Sequence, residues 1–156
     1  MLPLKKILCP YDYSAASDEI LKASNELALH FSAELVVLYA IESMPVNKES
    51  MRRKPFGFDV ESIRQDWEKN QATRLQGVVD QKVAKELKVK SIVKYGEASN
   101  AIVEVAKEEN ADVIVIAIHK RKGWRQYIFG STDTVAARVI DDSPCSVISI
   151  PTSGSK

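Results

Sequence analysis

The chain has 156 residues, 45% of them apolar, and 22 lysines and arginines stand against 21 aspartates and glutamates for a formal net charge of +1. A chain of this length fits one domain that buries roughly 70% of its unfolded surface, and its balanced charge excludes a global field drawing it to nucleic acid or to a membrane. The opening Met1-Leu2-Pro3-Leu4-Lys5-Lys6 puts charge where a signal peptide has its apolar run, and no stretch approaches the ~20 apolar residues of a membrane span. A cytoplasmic protein with no membrane partner is therefore expected.

Lys5-Lys6-Ile7-Leu8-Cys9-Pro10 is a short apolar run closed by proline, followed by Tyr11-Asp12-Tyr13-Ser14 and the helix-spaced Ile20, Leu21, Leu27, Ala28 and Phe31; it predicts strand, loop and helix. Ser14 stands where an N-cap belongs, and Ser17, Asp18 and Glu19 suit the first turn. Glu34 to Ile41 is almost continuously apolar, the pattern of a parallel strand covered on both faces. Between Ser43 and Asp59 the pattern lapses into an insert with Pro45, Arg52-Arg53-Lys54, Pro55 and Gly57. A long helix is expected from about Val60 to Leu87, with a stripe of Ile63, Trp67, Leu75, Val78, Val79 and Val83.

Ser91 to Tyr95 reads as a third strand, Gly96 as a turn, and Ala101, Ile102, Val105 and Ala106 as the face of a short helix. Asp112 to Ile118 is the most apolar strand. A basic loop with His119, Lys120, Arg121, Lys122 and Arg125 leads to Gly130-Ser131 and the run Thr132 to Ile140, read as a glycine turn opening a helix. Such a turn points free backbone N–H groups and the positive end of the helix dipole at one place, which suits a phosphate. Pro144 to Ile150 makes a fifth strand, and residues 1–151 are expected to form a single domain followed by a flexible tail over 152–156.

Five strands alternating with helices predict an open, doubly wound α/β fold: a five-stranded parallel sheet, Rossmann-like, with helices on both faces. Ligands of such sheets bind beyond the carboxyl ends of the strands where strand order reverses, the rim reached by Tyr11-Asp12-Tyr13, the insert and the basic loop. Cys9 and Cys145 fall in apolar runs without a C-x-x-C and read as buried hydrophobes. Nucleotide P-loop, dinucleotide, nucleophile-elbow and zinc-protease signatures are absent, so neither catalytic nor metal-ligating residues are assigned. One short basic cluster is less than the basic face that nucleic acid requires.

The run from Lys5 to Ser14 resembles the opening K-K-I-L-x-P-x-D-x-S of the universal stress protein family, and the likeness continues through the second strand, the Gly96 turn, the fourth strand, Gly130-Ser131 and Ser143-Pro144-Cys145-Ser146-Val147. The ATP-binding branch of that family carries G-2x-G-9x-G-(S/T). On this chain its positions fall at Ala117, Lys120 and Gly130-Ser131, so the spacing is kept while two glycines are replaced. The resemblance implies two readings. In one the chain is a non-enzymatic stress-response regulator, working as a homodimer paired through the last strand at Cys145, Val147, Ile148 and Ile150, with a further protein partner unnamed. In the other it is an adenine-nucleotide switch holding ATP through a modified phosphate loop, with Mg²⁺ carried by the phosphates and slow hydrolysis as an accompaniment. Asp12 and the backbone near Ala40 would then meet the adenosine, Ala117 would lie by the ribose and Lys120, Gly130, Ser131 and Thr132 along the phosphates, with Pro10 and Tyr11 also in the site.

Overall fold

A computed structural model describes residues 3–43, 59–119 and 134–152. Along the chain they form β1 (Lys6–Pro10), α1 (Ala15–Phe31), β2 (Glu34–Ile41), α2 (Val60–Lys82), β3 (Val89–Tyr95), α3 (Ala98–Glu108), β4 (Val113–His119), α4 (Val135–Asp142) and β5 (Ser146–Thr152). The strands make one parallel sheet in the order β3-β2-β1-β4-β5. The chain builds outward from β1 to β3, then crosses over to add β4 and β5 on the other side. Strand order thus reverses between β1 and β4, as the doubly wound expectation requires.

The period of two along each strand sorts the core into two layers. Ile7, Cys9, Leu35, Val37, Val113 and Val115 are buried against α1 and α2, whose Ile20, Leu21, Leu75 and Val79 complete that layer. Leu8, Val36, Leu38, Ile114 and Ile116 face the other way, onto Ile102, Val105 and Ala106 of α3 and Val139 of α4. At the amino end of the sheet the Asp112 carboxylate accepts from the backbone N–H groups of Lys5 and Lys6 at 2.8 and 2.9 Å, tying β1 to the start of β4.

Several boundaries differ from expectation for identifiable reasons. The second helix stops at Lys82 rather than near Leu87: Val83 is already extended, at φ −101° and ψ 140°, and the next N–H, of Ala84, donates to Asn25 Oδ1 at 2.8 Å. The last helix opens at Val135, because Thr134 is its N-cap, its hydroxyl accepting from Ala137 N at 3.1 Å, while the Gly130-Ser131 turn read as opening it lies outside the described residues. Cys145 precedes β5 instead of lying in it. Thr152, expected as the first residue of the tail, closes β5: it is fully buried, pairs with His119 and donates to the Ile118 carbonyl at 3.5 Å. Among the described residues no helix is long and apolar enough to cross a membrane.

Candidate functional site

At the carboxyl ends of β1, β2 and β4, over the reversal of strand order, lies a cleft of about 580 Å³. Pro10, Tyr11, Asp12, Ala40 and Ala117 all line it, so five of the nine nucleotide-site positions read from the sequence meet in one place. The other four, Lys120, Gly130, Ser131 and Thr132, lie outside the described residues, as do Arg121, Lys122 and Arg125.

Asp12 is shaped by a tight local network. Its backbone N–H donates to Ser17 Oγ at 2.9 Å, and its Oδ1 accepts from the Ser14 N–H at 3.0 Å and from the Ser17 hydroxyl. Ser14 in turn caps α1, its hydroxyl accepting from the Ser17 N–H at 3.1 Å. Partial burial raises the Asp12 carboxyl, but the hydrogen bonds from Ser14 and Ser17 outweigh it and hold the group below its ordinary 3.8. The side chain stays an anion, acceptor-only, at any physiological pH. Among the described residues nothing donates to its second oxygen, and the residue is exposed to the cleft, so it can still take a hydroxyl or amine from a ligand.

The tyrosines flanking Asp12 form a row. Tyr11 and Tyr13 meet edge to face with ring centroids 5.1 Å apart, and Tyr13 meets Tyr39 in the same way, also at 5.1 Å. Tyr13 adopts φ +66°, a left-handed backbone unusual for a large side chain. The Tyr11 hydroxyl donates to Asp18 Oδ1 at 2.6 Å, which also pairs with Lys82 Nζ.

Residues that sequence reasoning missed complete the cleft. Glu42, one residue past β2, lines it, and its Oε1 accepts from the Ala98 N–H at 3.0 Å, capping α3 across the rim where the Glu97 side chain caps nothing. Its place just beyond a strand end is a signal that the rim rule alone would have flagged. Ala98 and Ile102 of α3 and Val135 and Ala136 of α4 also line the cleft; no local pattern marks them. The lining so described is acidic and hydroxylic at the loops and apolar over the helices. It suits the base and sugar of a nucleoside rather than its phosphates.

The positions named for pairing at the last strand lie at one edge of the sheet. Val147 packs on the α3 and α4 layer and Ile148 and Ile150 on the α1 and α2 layer, all half-buried. Cys145, half-buried in the turn before β5, has its N–H on Ser143 Oγ at 3.2 Å, and burial raises its thiol. Cys9 is fully buried, its thiol pushed up to about 12, so it is unreactive.

A model of the universal stress protein family matches residues 3–151. A universal stress protein of Methanocaldococcus jannaschii is 30% identical over 146 residues, covering 92% of this chain and 80% of its own. A universal stress protein solved in complex with cAMP shares the fold with a TM-score of 0.63 at 18% identity, over 96% of this chain and 98% of that one. The universal stress protein of Archaeoglobus fulgidus in complex with dAMP does so with a TM-score of 0.56 at 18% identity, over 96% and 98%.

Proposed function

Because the chain belongs to the universal stress protein family, we propose that its cleft seats an adenine nucleotide and that the protein is a non-enzymatic, nucleotide-responsive regulator working as a homodimer. The observation that carries the first half is the convergence of Pro10, Tyr11, Asp12, Ala40 and Ala117 on one cleft at the reversal of strand order. Two structural relatives, solved with cAMP and dAMP, lend it support. The ionised Asp12 offers an acceptor to a sugar hydroxyl or an exocyclic amine, and the apolar faces of α3 and α4 offer contact to a planar base.

Thermal unfolding with and without 1 mM Mg-ATP or AMP tests this reading. A ligand that binds only the folded state, present at 100 times its Kd, stabilises by roughly 2.7 kcal/mol, which is a rise of about 5–10 °C for a domain of this size. The rise is expected for the native protein and expected to vanish in Asp12→Ala. No rise with either nucleotide overturns the reading, and an equal rise in Asp12→Ala places the nucleotide elsewhere.

A second observation favours the homodimer. β3 and β5 are the two edges of the sheet, and they are unlike. β3 carries Lys90 and Lys94, ion-paired to Glu109 and to Glu104 and Glu108 of the neighbouring segment, the kind of charged edge that discourages pairing. β5, Ser146 to Thr152, carries no charged residue at all, so it is the edge open to a second copy.

A further inference from the structure

Asp12 is bracketed by two tyrosines, and each is tied to α2, a helix that does not itself line the cleft. Tyr11 reaches it through Asp18, whose Oδ1 takes both the Tyr11 hydroxyl at 2.6 Å and the Lys82 ammonium. Tyr13 reaches it directly, with the Arg74 guanidinium 3.7 Å from the centre of its ring. The backbone between them turns through the left-handed region at Tyr13, and that turn brings Ser14 N and Ser17 Oγ onto the Asp12 carboxylate. A conformation that side chains with a Cβ disfavour persists only where surrounding contacts hold it, and here the contacts are the two neighbouring rings and Arg74. Leu75 of α2, adjacent to Arg74, is fully buried, so the helix is a firm anchor.

We propose that Asp18 of α1, braced by Lys82, and Arg74 of α2 are positioning residues of the cleft: through Tyr11 and Tyr13 they hold the Asp12 turn in place and so set the affinity of the site. This rests on the reading of the cleft as a nucleotide site. None of the three residues lines the cleft, and their role is to orient one that does. The Asp18 link is the stronger, since it joins a charge-assisted hydrogen bond to an ion pair; the Lys82–Asp18 pair alone, largely exposed, contributes little.

Tyr11→Phe and Asp18→Ala break the same link from its two sides, so titration of AMP into each, and into the double variant, reads the positioning directly. Each single change is expected to weaken AMP roughly three- to tenfold, the loss of one orienting hydrogen bond, and the double change no more than the stronger single. Val113→Ala, fully buried at the amino end of β4 and so at the opposite end of the sheet from the cleft, lowers stability and is expected to leave the affinity unchanged, which separates positioning from general loosening. In the ligand-free protein, the Asp12 carboxyl followed by NMR is expected to titrate higher in Tyr11→Phe than in the native chain. Unchanged AMP affinity in both single variants, or multiplicative losses in the double, overturns the proposal and leaves the nucleotide reading standing. A native protein that binds neither AMP nor ATP overturns the nucleotide reading itself; the Asp12 titration then still decides whether the Tyr11–Asp18 link holds the turn, and an unmoved titration overturns that too.

Discussion

Ser17 shows how much of the site depends on one small side chain. It is buried, it accepts the Asp12 N–H, and its hydroxyl donates to the Asp12 carboxylate. Ser17→Ala leaves a backbone donor and a carboxylate short of partners, and is expected to cost about 1–2 kcal/mol near neutrality. The pH dependence follows from the direction of the Asp12 shift. Its folded pKa lies below the ordinary 3.8, so its contribution to stability is complete above that value and is lost as the pH falls through the folded pKa. Because Ser17→Ala removes one of the bonds that hold the pKa down, the variant is expected to lose less stability than the native chain between neutrality and acid. Chemical denaturation at both pH values checks it, and parallel losses in the two proteins count against the network. The sequence marked Asp12 as a candidate and Ser17 only as a residue suited to a first helical turn. Their bond was not legible, because it depends on the left-handed turn at Tyr13, which no neighbouring residue type announces.

Among the elements, α2 departs furthest from simple amphipathic expectation. Its inner face buries Gln71, Leu75 and Val79, and Leu75 is fully enclosed between the helix and the sheet. Leu75→Ala is expected to cost about 2–5 kcal/mol, which lowers the unfolding temperature by roughly 5–20 °C; a shift of only a degree or two would mean that α2 packs loosely and anchors nothing. The apolar stripe placed this helix correctly but not its end, since Val83 belongs to the stripe and yet leaves the helix when Asn25 of α1 captures the Ala84 N–H. The start of α4 was hidden for a similar reason. Thr134 caps it with a hydroxyl, while the glycine-serine pair upstream is the more conspicuous signal.

For the whole molecule, the proposed homodimer depends on which sheet edge is free of charge. The order β3-β2-β1-β4-β5 leaves exposed one edge studded with paired lysines and one without charge. Sedimentation equilibrium at micromolar concentration is expected to show a dimer, and Val147→Pro, checked by circular dichroism for an intact fold, to show a monomer. A native monomer, or a dimer indifferent to proline at that position, removes the pairing through β5.

The alternation of buried strands with amphipathic helices determined the architecture from the sequence alone, because a strand covered on both faces and a helix with one apolar stripe are local patterns with a single economical way to pack. The same reasoning located the rim and brought Tyr11-Asp12-Tyr13 to it, while Pro10, Ala40 and Ala117 were named through the resemblance to the universal stress protein family. Only the tertiary structure decided that Glu42 caps α3 across the cleft, that Ile102 and Val135 help to wall it, that Arg74 stacks on the Tyr13 ring and that Lys82 pairs with the Asp18 carboxylate that accepts from Tyr11. Periodicity reports which face of an element is buried; it carries nothing about which distant element arrives on that face, and every one of these contacts joins segments brought together by a crossover.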